Sequence, residues 1–322
     1  NSNIESNFSD SSLAGVGNII SLSFETDTEI QSPSVLISDQ TASVINLEGN
    51  NWQANYTMQD TDPDGQISFA IDFIDIYGNP NSELNNTSNS TAVIFDNSKP
   101  SLSVVSIKST NQDTTLARVG DTIIIMFKGD ELLINQQAEI GSSFAGINSI
   151  ISDNIIKYYA TYIMQEIDTE GEISFEIIVT DSVGINSNPV NETTNGTFVI
   201  FDRTIPIINS LHIESTNPNN NSIGISGDEI NLSFSSSEIL KIDSIFVNIA
   251  DQNVSVVESD GIYMANYVLN GTEPSGYINY NLNYQDLAGN KGAQLDSTQD
   301  SSFVKHDLIP PEILKCYISS NN

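Results

Sequence analysis

Ile67, Phe69, Ile71 and Phe73 alternate with polar residues, and the alternation returns at Ile173, Phe175, Ile177 and Val179. It returns again at Ile278, Tyr280, Leu282 and Tyr284. A period of two sets one face of an extended strand on a core and the other in water. The remaining apolar runs are short, rich in β-branched and aromatic residues, and broken about every 8–12 residues by Gly, Asn, Asp or Pro, the pattern of a β-sandwich. No stretch carries the 3.6-residue spacing of an amphipathic helix. The pattern predicts an all-β chain.

The same blocks recur in order. VGNIISLSF at 16–24 matches VGDTIIIMF at 119–127 and SGDEINLSF at 226–234. AVIFDNSKP at 92–100 matches FVIFDRTIP at 198–206 and FVKHDLIPP at 303–311. Gly65, Gly171 and Gly276 lie 106 and 105 residues apart, too long for a solenoid repeat and right for a whole sandwich of about seven strands. The expected domains are 1–98 (its first strand shortened), 99–204 and 205–309. Ile4, Ile107, Ile213 and Ile318 share one column, so 310–322 reads as the first strand of a fourth repeat, or as a donor strand for another copy. Short Pro-containing linkers favour an extended rod.

Composition narrows the role. Of 322 residues, 10 are Lys or Arg and 42 are Asp or Glu, a formal net charge of −32. Nucleic acid and anionic lipid are excluded as electrostatic partners, because binding to phosphates rests on cations. Ser (44) and Asn (38) supply an uncharged polar surface. One Cys and two His give neither a disulfide framework nor a zinc set. No apolar run approaches the roughly 18 residues of a membrane-spanning helix. There is no P-loop, dinucleotide fingerprint or metalloprotease helix motif, and the two histidines stand in non-equivalent positions without a recurring nucleophile. The chain reads as non-enzymatic. Sixteen of its 25 aromatics fall into repeating columns, which marks them as core and not as a sugar-stacking platform. Cys316, in the column of Val105 and Leu211, reads as a small buried hydrophobe.

DLAGN at 286–290, with its variants DIYGN (75–79) and DSVGIN (181–186), resembles the tandem immunoglobulin-like repeats of large prokaryotic cell-surface proteins. The domain-closing FDNSKP, FDRTIP and HDLIPP and the Ser237–Glu238 pair fit the same resemblance, which spans the whole chain. The acidic, Asn- and Ile-rich composition is similar to that of archaeal surface-layer proteins. The resemblance implies an extracellular, cell-surface location and a structural role in a surface layer, sheath or filament of identical copies, with an acidic face that gathers small cations. The alternative is an adhesin or stalk carrying a separate binding domain.

Two acidic sets carry the candidate chemistry. Asp60, Asp62 and Asp64 before Gly65 open like a calcium loop, since carboxylates two apart converge when the backbone winds. Glu166, Asp168 and Glu170 before Gly171 keep that chemistry, whereas the third copy keeps only Glu273. Ile71 and Ile177 stand where a helix-flanked loop places its distal Glu, so either calcium or a solvated acidic turn fits. Asp75, Asp181 and Asp286 recur at a strand end, where Asp caps its own turn. Asp96, Asp202 and Asp307, just before the interdomain Pro, either cap locally or bridge neighbouring domains through Ca2+. Of eleven Asn-x-Ser/Thr sequons, those at Asn85, Asn86, Asn89, Asn191 and Asn195 lie in turn-rich polar loops suited to glycans.

Overall fold

Each copy contributes ten short strands in the same order, and no α-helix occurs among the described residues of the computed structural model, which are all except Glu83, Asp153, Asn321 and Asn322. The first copy comprises β1 (Ser2–Ser6), β2 (Leu13–Ala14), β3 (Ile19–Glu25), β4 (Ser34–Ile37) and β5 (Gln40–Thr41). Then come β6 (Ser43–Glu48), β7 (Asn51–Thr57), β8 (Gly65–Gln66), β9 (Phe69–Asp72) and β10 (Ile94–Phe95). A four-stranded sheet, β1-β3-β7-β6, faces a three-stranded sheet, β5-β4-β9. Ile4, Ile20, Leu22 and Phe24 from the first meet Val35, Ile37, Phe69 and Ile71 from the second in one core cluster. A small third sheet, β2-β10-β8, closes one end, with β10 parallel to β2.

The second copy runs through β11 (Leu102–Ser109), β12 (Leu116–Ala117), β13 (Thr122–Gly129), β14 (Leu133–Ile140) and β15 (Ser143–Phe144). It continues through β16 (Gly146–Ser152), β17 (Ile155–Ile163), β18 (Gly171–Glu172), β19 (Phe175–Asp181) and β20 (Ile200–Phe201). The third has β21 (Ile208–Ser215), β22 (Ile223–Gly224), β23 (Glu229–Ser236), β24 (Phe246–Ile249) and β25 (Gln252–Val254). It ends with β26 (Val256–Ser259), β27 (Ile262–Val268), β28 (Gly276–Tyr277), β29 (Tyr280–Asn283) and β30 (Lys305–His306). Their sheets repeat the order of the first: β11-β13-β17-β16 with β15-β14-β19, and β21-β23-β27-β26 with β25-β24-β29. The chain is three tandem immunoglobulin-like β-sandwiches.

The period-two residues face inward as the pattern requires: Phe69, Phe175 and Tyr280 are buried, as are Ile71, Ile177 and Leu282. The aromatic columns are packing columns, with Phe127 stacked on Tyr158 and Phe234 on Tyr263 at 5.3 Å between ring centroids. Ten strands stand where about seven were expected, because two-residue pieces such as Leu13–Ala14 and Ile94–Phe95 are too short to show a period.

The described residues form two compact units, 1–107 with 124–162 and 174–197, and 108–123 with 163–173 and 198–322. The first sandwich lies wholly in the first unit and the third wholly in the second, while the second sandwich contributes strands to both. Residues 307–320 carry no strand. Cys316, expected to be buried, is exposed there, because no strand lies beside it to cover it.

Candidate metal centre

Among the described residues two clusters of three carboxylates form, each inside one unit and each assembled from consecutive sandwiches. In the first unit, Asp96 from the end of sandwich 1 meets Glu131 and Asp181 of sandwich 2. In the second, Asp202 from the end of sandwich 2 meets Glu238 and Asp286 of sandwich 3. Within each cluster one ligand oxygen from every residue lies within 4.8 Å of the others.

Local structure explains how each side chain arrives. Asp181 closes β19 and turns the chain: its Oδ1 accepts the Val183 and Ile185 amides at 2.9 and 2.8 Å. Asp286 does the same with Gly289 and Asn290, at 2.6 and 2.9 Å. With one oxygen fixed to the turn, the other is left for the cluster. Asp181 Oδ2 and Asp286 Oδ2 are buried and have no hydrogen-bond partner among the described residues, and their residues are 0% and 1% exposed. Glu238 Oε1 is buried and without a partner as well. An unmet buried carboxylate oxygen costs free energy unless a proton or a cation meets it. Asp96 and Asp202 cap the linker turn through Oδ1, accepting the Ser98 and Thr204 amides at 3.0 and 2.9 Å.

The electrostatics record the crowding. Burial first, then the charges of Asp96 and Asp181, push the Glu131 carboxyl up to about 7. Burial, then Asp202 and Asp286, push Glu238 up to about 7. Asp202 is also raised, by burial first. Three acidic oxygens so close together repel one another, and the repulsion disfavours the charged forms. Oxygen-only donors around one point suit a hard divalent cation, calcium before zinc. Asp96, Glu131 and Asp181 would hold one ion, and Asp202, Glu238 and Asp286 another.

The first copy differs at the matching place. Asp75 caps its turn through Tyr77 and Asn79, but its Oδ2 accepts the Asn79 amide at 2.8 Å. By register from Phe24, Phe127 and Phe234, Thr28 stands where Glu131 and Glu238 stand. Asp307 repeats the linker turn by accepting the Ile309 amide at 3.0 Å.

The other acidic loop is used differently. Asp62 Oδ1 accepts the Tyr56 hydroxyl at 3.1 Å and Oδ2 the Gln59 amide at 2.7 Å, while Asp168 takes the Gln165 amide at 2.6 Å. Asp64 and Glu170 hold the linkers: Asp64 accepts the Asn97 amide at 2.7 Å, and Glu170 the Arg203 amide at 2.9 Å and the Thr204 hydroxyl at 2.8 Å. Asp60 and Glu166 contribute backbone carbonyls to Asn97 and to Arg203. Among the described residues these six do not gather into a converging set.

Asn85, Asn86, Asn89, Asn191 and Asn195 are all exposed. Asn89 and Asn195 also cap a turn, their Oδ1 atoms accepting the hydroxyls of Thr91 and Thr197 at 2.8 Å. Those threonines in turn accept the Ile4 and Ile107 amides at 3.0 Å, so the Asn-x-Thr spacing there has a backbone role of its own. His212 lies 2.6 Å from Asp300 on the surface, and His306 is fully buried.

No protein-family model matches the chain, and no curated protein matches it. Solved structures do. A structure of a 1.5-MDa bacterial ice-binding adhesin, from work on its retention at the host cell surface, is 13% identical. That likeness covers 96% of this chain and 98% of that one, with a TM-score of 0.53. A Ca2+-stabilised adhesin that helps an Antarctic bacterium reach out and bind ice is 12% identical over 95% of this chain and 74% of that one, with a TM-score of 0.47. The I9–I11 tandem of titin gives 6% identity over 91% and 94%, with a TM-score of 0.34. At such identities the likeness speaks to fold alone.

Proposed function

We propose that this chain is a spacer segment of a cell-surface adhesin or stalk, with its sandwich-to-sandwich junctions closed by calcium. The observation that carries the reading is the recurrence of one carboxylate trio at two successive junctions, each including an Asp with a buried oxygen that has no hydrogen-bond partner among the described residues. A cation held there would tie the end of one sandwich to the next and remove the repulsion that raises Glu131 and Glu238. The likeness in fold to a 1.5-MDa adhesin supports a stalk over a surface-layer lattice. The acidic composition, which first suggested the lattice, is equally at home in a stalk. An extracellular location follows from the same reading.

Limited proteolysis tests the junction. Trypsin should cut after Arg203, next to Asp202, more slowly in calcium than in chelator, while cutting after Lys315, which is exposed and outside any strand, stays unchanged. Equal rates after Arg203 in both conditions would remove the calcium-closed junction. Electron microscopy of the intact surface protein tests the role: separate fibres support a stalk, and an ordered two-dimensional array overturns it.

A further inference from the structure

β16 is the edge of its four-stranded sheet, β11-β13-β17-β16. Its seven residues pair with β17 without a break, from Gly146 opposite Thr161 to Ser152 opposite Ile155. An edge strand turns the N–H and C=O groups of alternate residues away from its own sheet, which makes it a template for another strand. Such edges are ordinarily blunted by charge, a bulge or shortness. The equivalent strands of the other sandwiches are blunted in this way. β6 carries Glu48 and a register shift between Asn46 and Glu48, and β26 has four residues, one of them Glu258. β16 carries no charged residue, and neither do Phe144 and Ala145 before it. Ile150 and Ile151 are 57% and 70% exposed, and Phe144 is 79% exposed.

Charge and symmetry both point to a second copy of this chain as the occupant. Copies of net charge −32 repel, and they meet most easily where each offers a stretch without charge. A cationic partner would be drawn to the acidic surface instead, since β16 offers it no counter-charge. Two antiparallel copies of one strand are related by a twofold axis that must pass through a residue, because paired residues turn the same backbone groups toward each other. Ser149 is the midpoint of β16. An axis there sets Ile147 of each copy opposite Ile151 of the other, and Asn148 opposite Ile150. Ile147 and Ile151 share the face of Ala160 and Ile156, their partners on β17. Ala160 is fully buried, so this is the core side, and the isoleucine pairs would extend the apolar layer from copy to copy.

We propose that β16 of one copy pairs antiparallel with β16 of a second copy about a twofold axis at Ser149, joining their four-stranded sheets into one. Main-chain hydrogen bonds supply affinity, and the Ile147–Ile151 pairs, made twice by symmetry, supply register. The contact is isologous, so it closes at two copies and goes no further. β16 lies wholly within the first unit and contributes nothing to the carboxylate trios, so the pairing is independent of calcium at the junctions.

Sedimentation of the whole chain under thiol reductant, in calcium and again in chelator, tests the pairing. Mass should rise with concentration from 35.0 kDa to twice that value and stop there. Added salt should strengthen association, since it screens the repulsion between acidic copies. Ile151→Lys should weaken association about tenfold, because one substitution removes both isoleucine pairs. The added lysine lowers the net negative charge, so that loss cannot come from greater repulsion, and a side chain 70% exposed should leave the melting temperature unchanged. Cross-linking reads the register. In a chain carrying Cys316→Ser, Ser149→Cys should form a disulfide between copies on oxidation, its counterpart lying directly opposite. Ser152→Cys, about 20 Å from its own counterpart, should not. A mass of 35.0 kDa at every concentration would overturn the proposal and leave β16 to a different partner. A mass growing past two copies, a dimer indifferent to Ile151→Lys, or Ser152→Cys linking as fast as Ser149→Cys would overturn it as well.

Discussion

Asp286 shows at the scale of one residue what each junction asks of its side chains. Oδ1 holds the turn and Oδ2 is left to the cluster, so an amide at this position could keep the first task and change the second. In calcium, Asp286→Asn should lower stability by about 1–3 kcal/mol, since a ligand is lost. In chelator the same variant should be at least as stable as the parent, because its amide donates to Glu238 and Asp202 where a third carboxylate repels them. Urea unfolding in both media reads the difference, and a loss of the same size in both would separate Asp286 from cation binding. His306 makes a second case. It stands where Phe95 and Phe201 stand, fully buried, with neither ring nitrogen partnered among the described residues. His306→Phe should stabilise the third sandwich by about 1 kcal/mol, again by urea unfolding. Asp96 and Asp202 were legible in the sequence because they recur before a proline. Glu131 was not, and Glu238 was noticed only as half of a Ser-Glu pair. Each meets one aspartate of its own sandwich and one of the preceding sandwich, and Thr28 in the first copy breaks the column that would have exposed them.

Strands announced themselves wherever they were long enough to alternate. Those with two residues, such as Gly65–Gln66, did not, since they are defined by neighbours and not by their own pattern. The acidic loop is similar: in the first two copies its spacing suggested metal, and before β28, where the third copy keeps only Glu273, its geometry shows a clamp. Glu273 accepts the Tyr267 hydroxyl at 2.5 Å and the Asn270 and Gly271 amides at 3.1 and 2.9 Å. Burial pushes its carboxyl up, but those donors outweigh burial and hold it at about 2, below the ordinary 4.5. A carboxyl depressed by folding stabilises above its unfolded value and loses that contribution as acid reaches the folded one. The third sandwich should therefore weaken as pH falls from about 4.5 toward 2. Glu273→Gln should flatten the part of the acid profile due to this group, measured as the difference between the two unfolding curves. Parallel curves would mean that the clamp contributes nothing.

For the molecule as a whole, the repeat period was legible to within a residue or two, because one glycine per sandwich must take a positive φ before the alternating strand: 117° at Gly65, 112° at Gly171 and 142° at Gly276. The joining of the sandwiches was less legible, since apart from the carboxylate trio each junction uses its own contacts. Gly15 leaves room against Val183 at the first, whereas Asn111 donates to the Ala288 carbonyl at 2.8 Å at the second. Calcium should raise the unfolding midpoint and chelation lower it. At a free concentration a hundredfold above Kd, each site adds about 2.7 kcal/mol. Calorimetry with and without chelator checks this, and an unchanged midpoint would remove structural calcium.

Thr28 and the self-satisfied Asp75 carry a consequence for stoichiometry. A carboxylate trio needs a lower neighbour to lend one aspartate and an upper neighbour to lend a glutamate and an aspartate, so ions are tallied by seams and not by sandwiches. Equilibrium dialysis of this polypeptide with radioactive calcium should therefore saturate at two per molecule. A third equivalent would mean that some pole lacking the glutamate recruits an ion by other means.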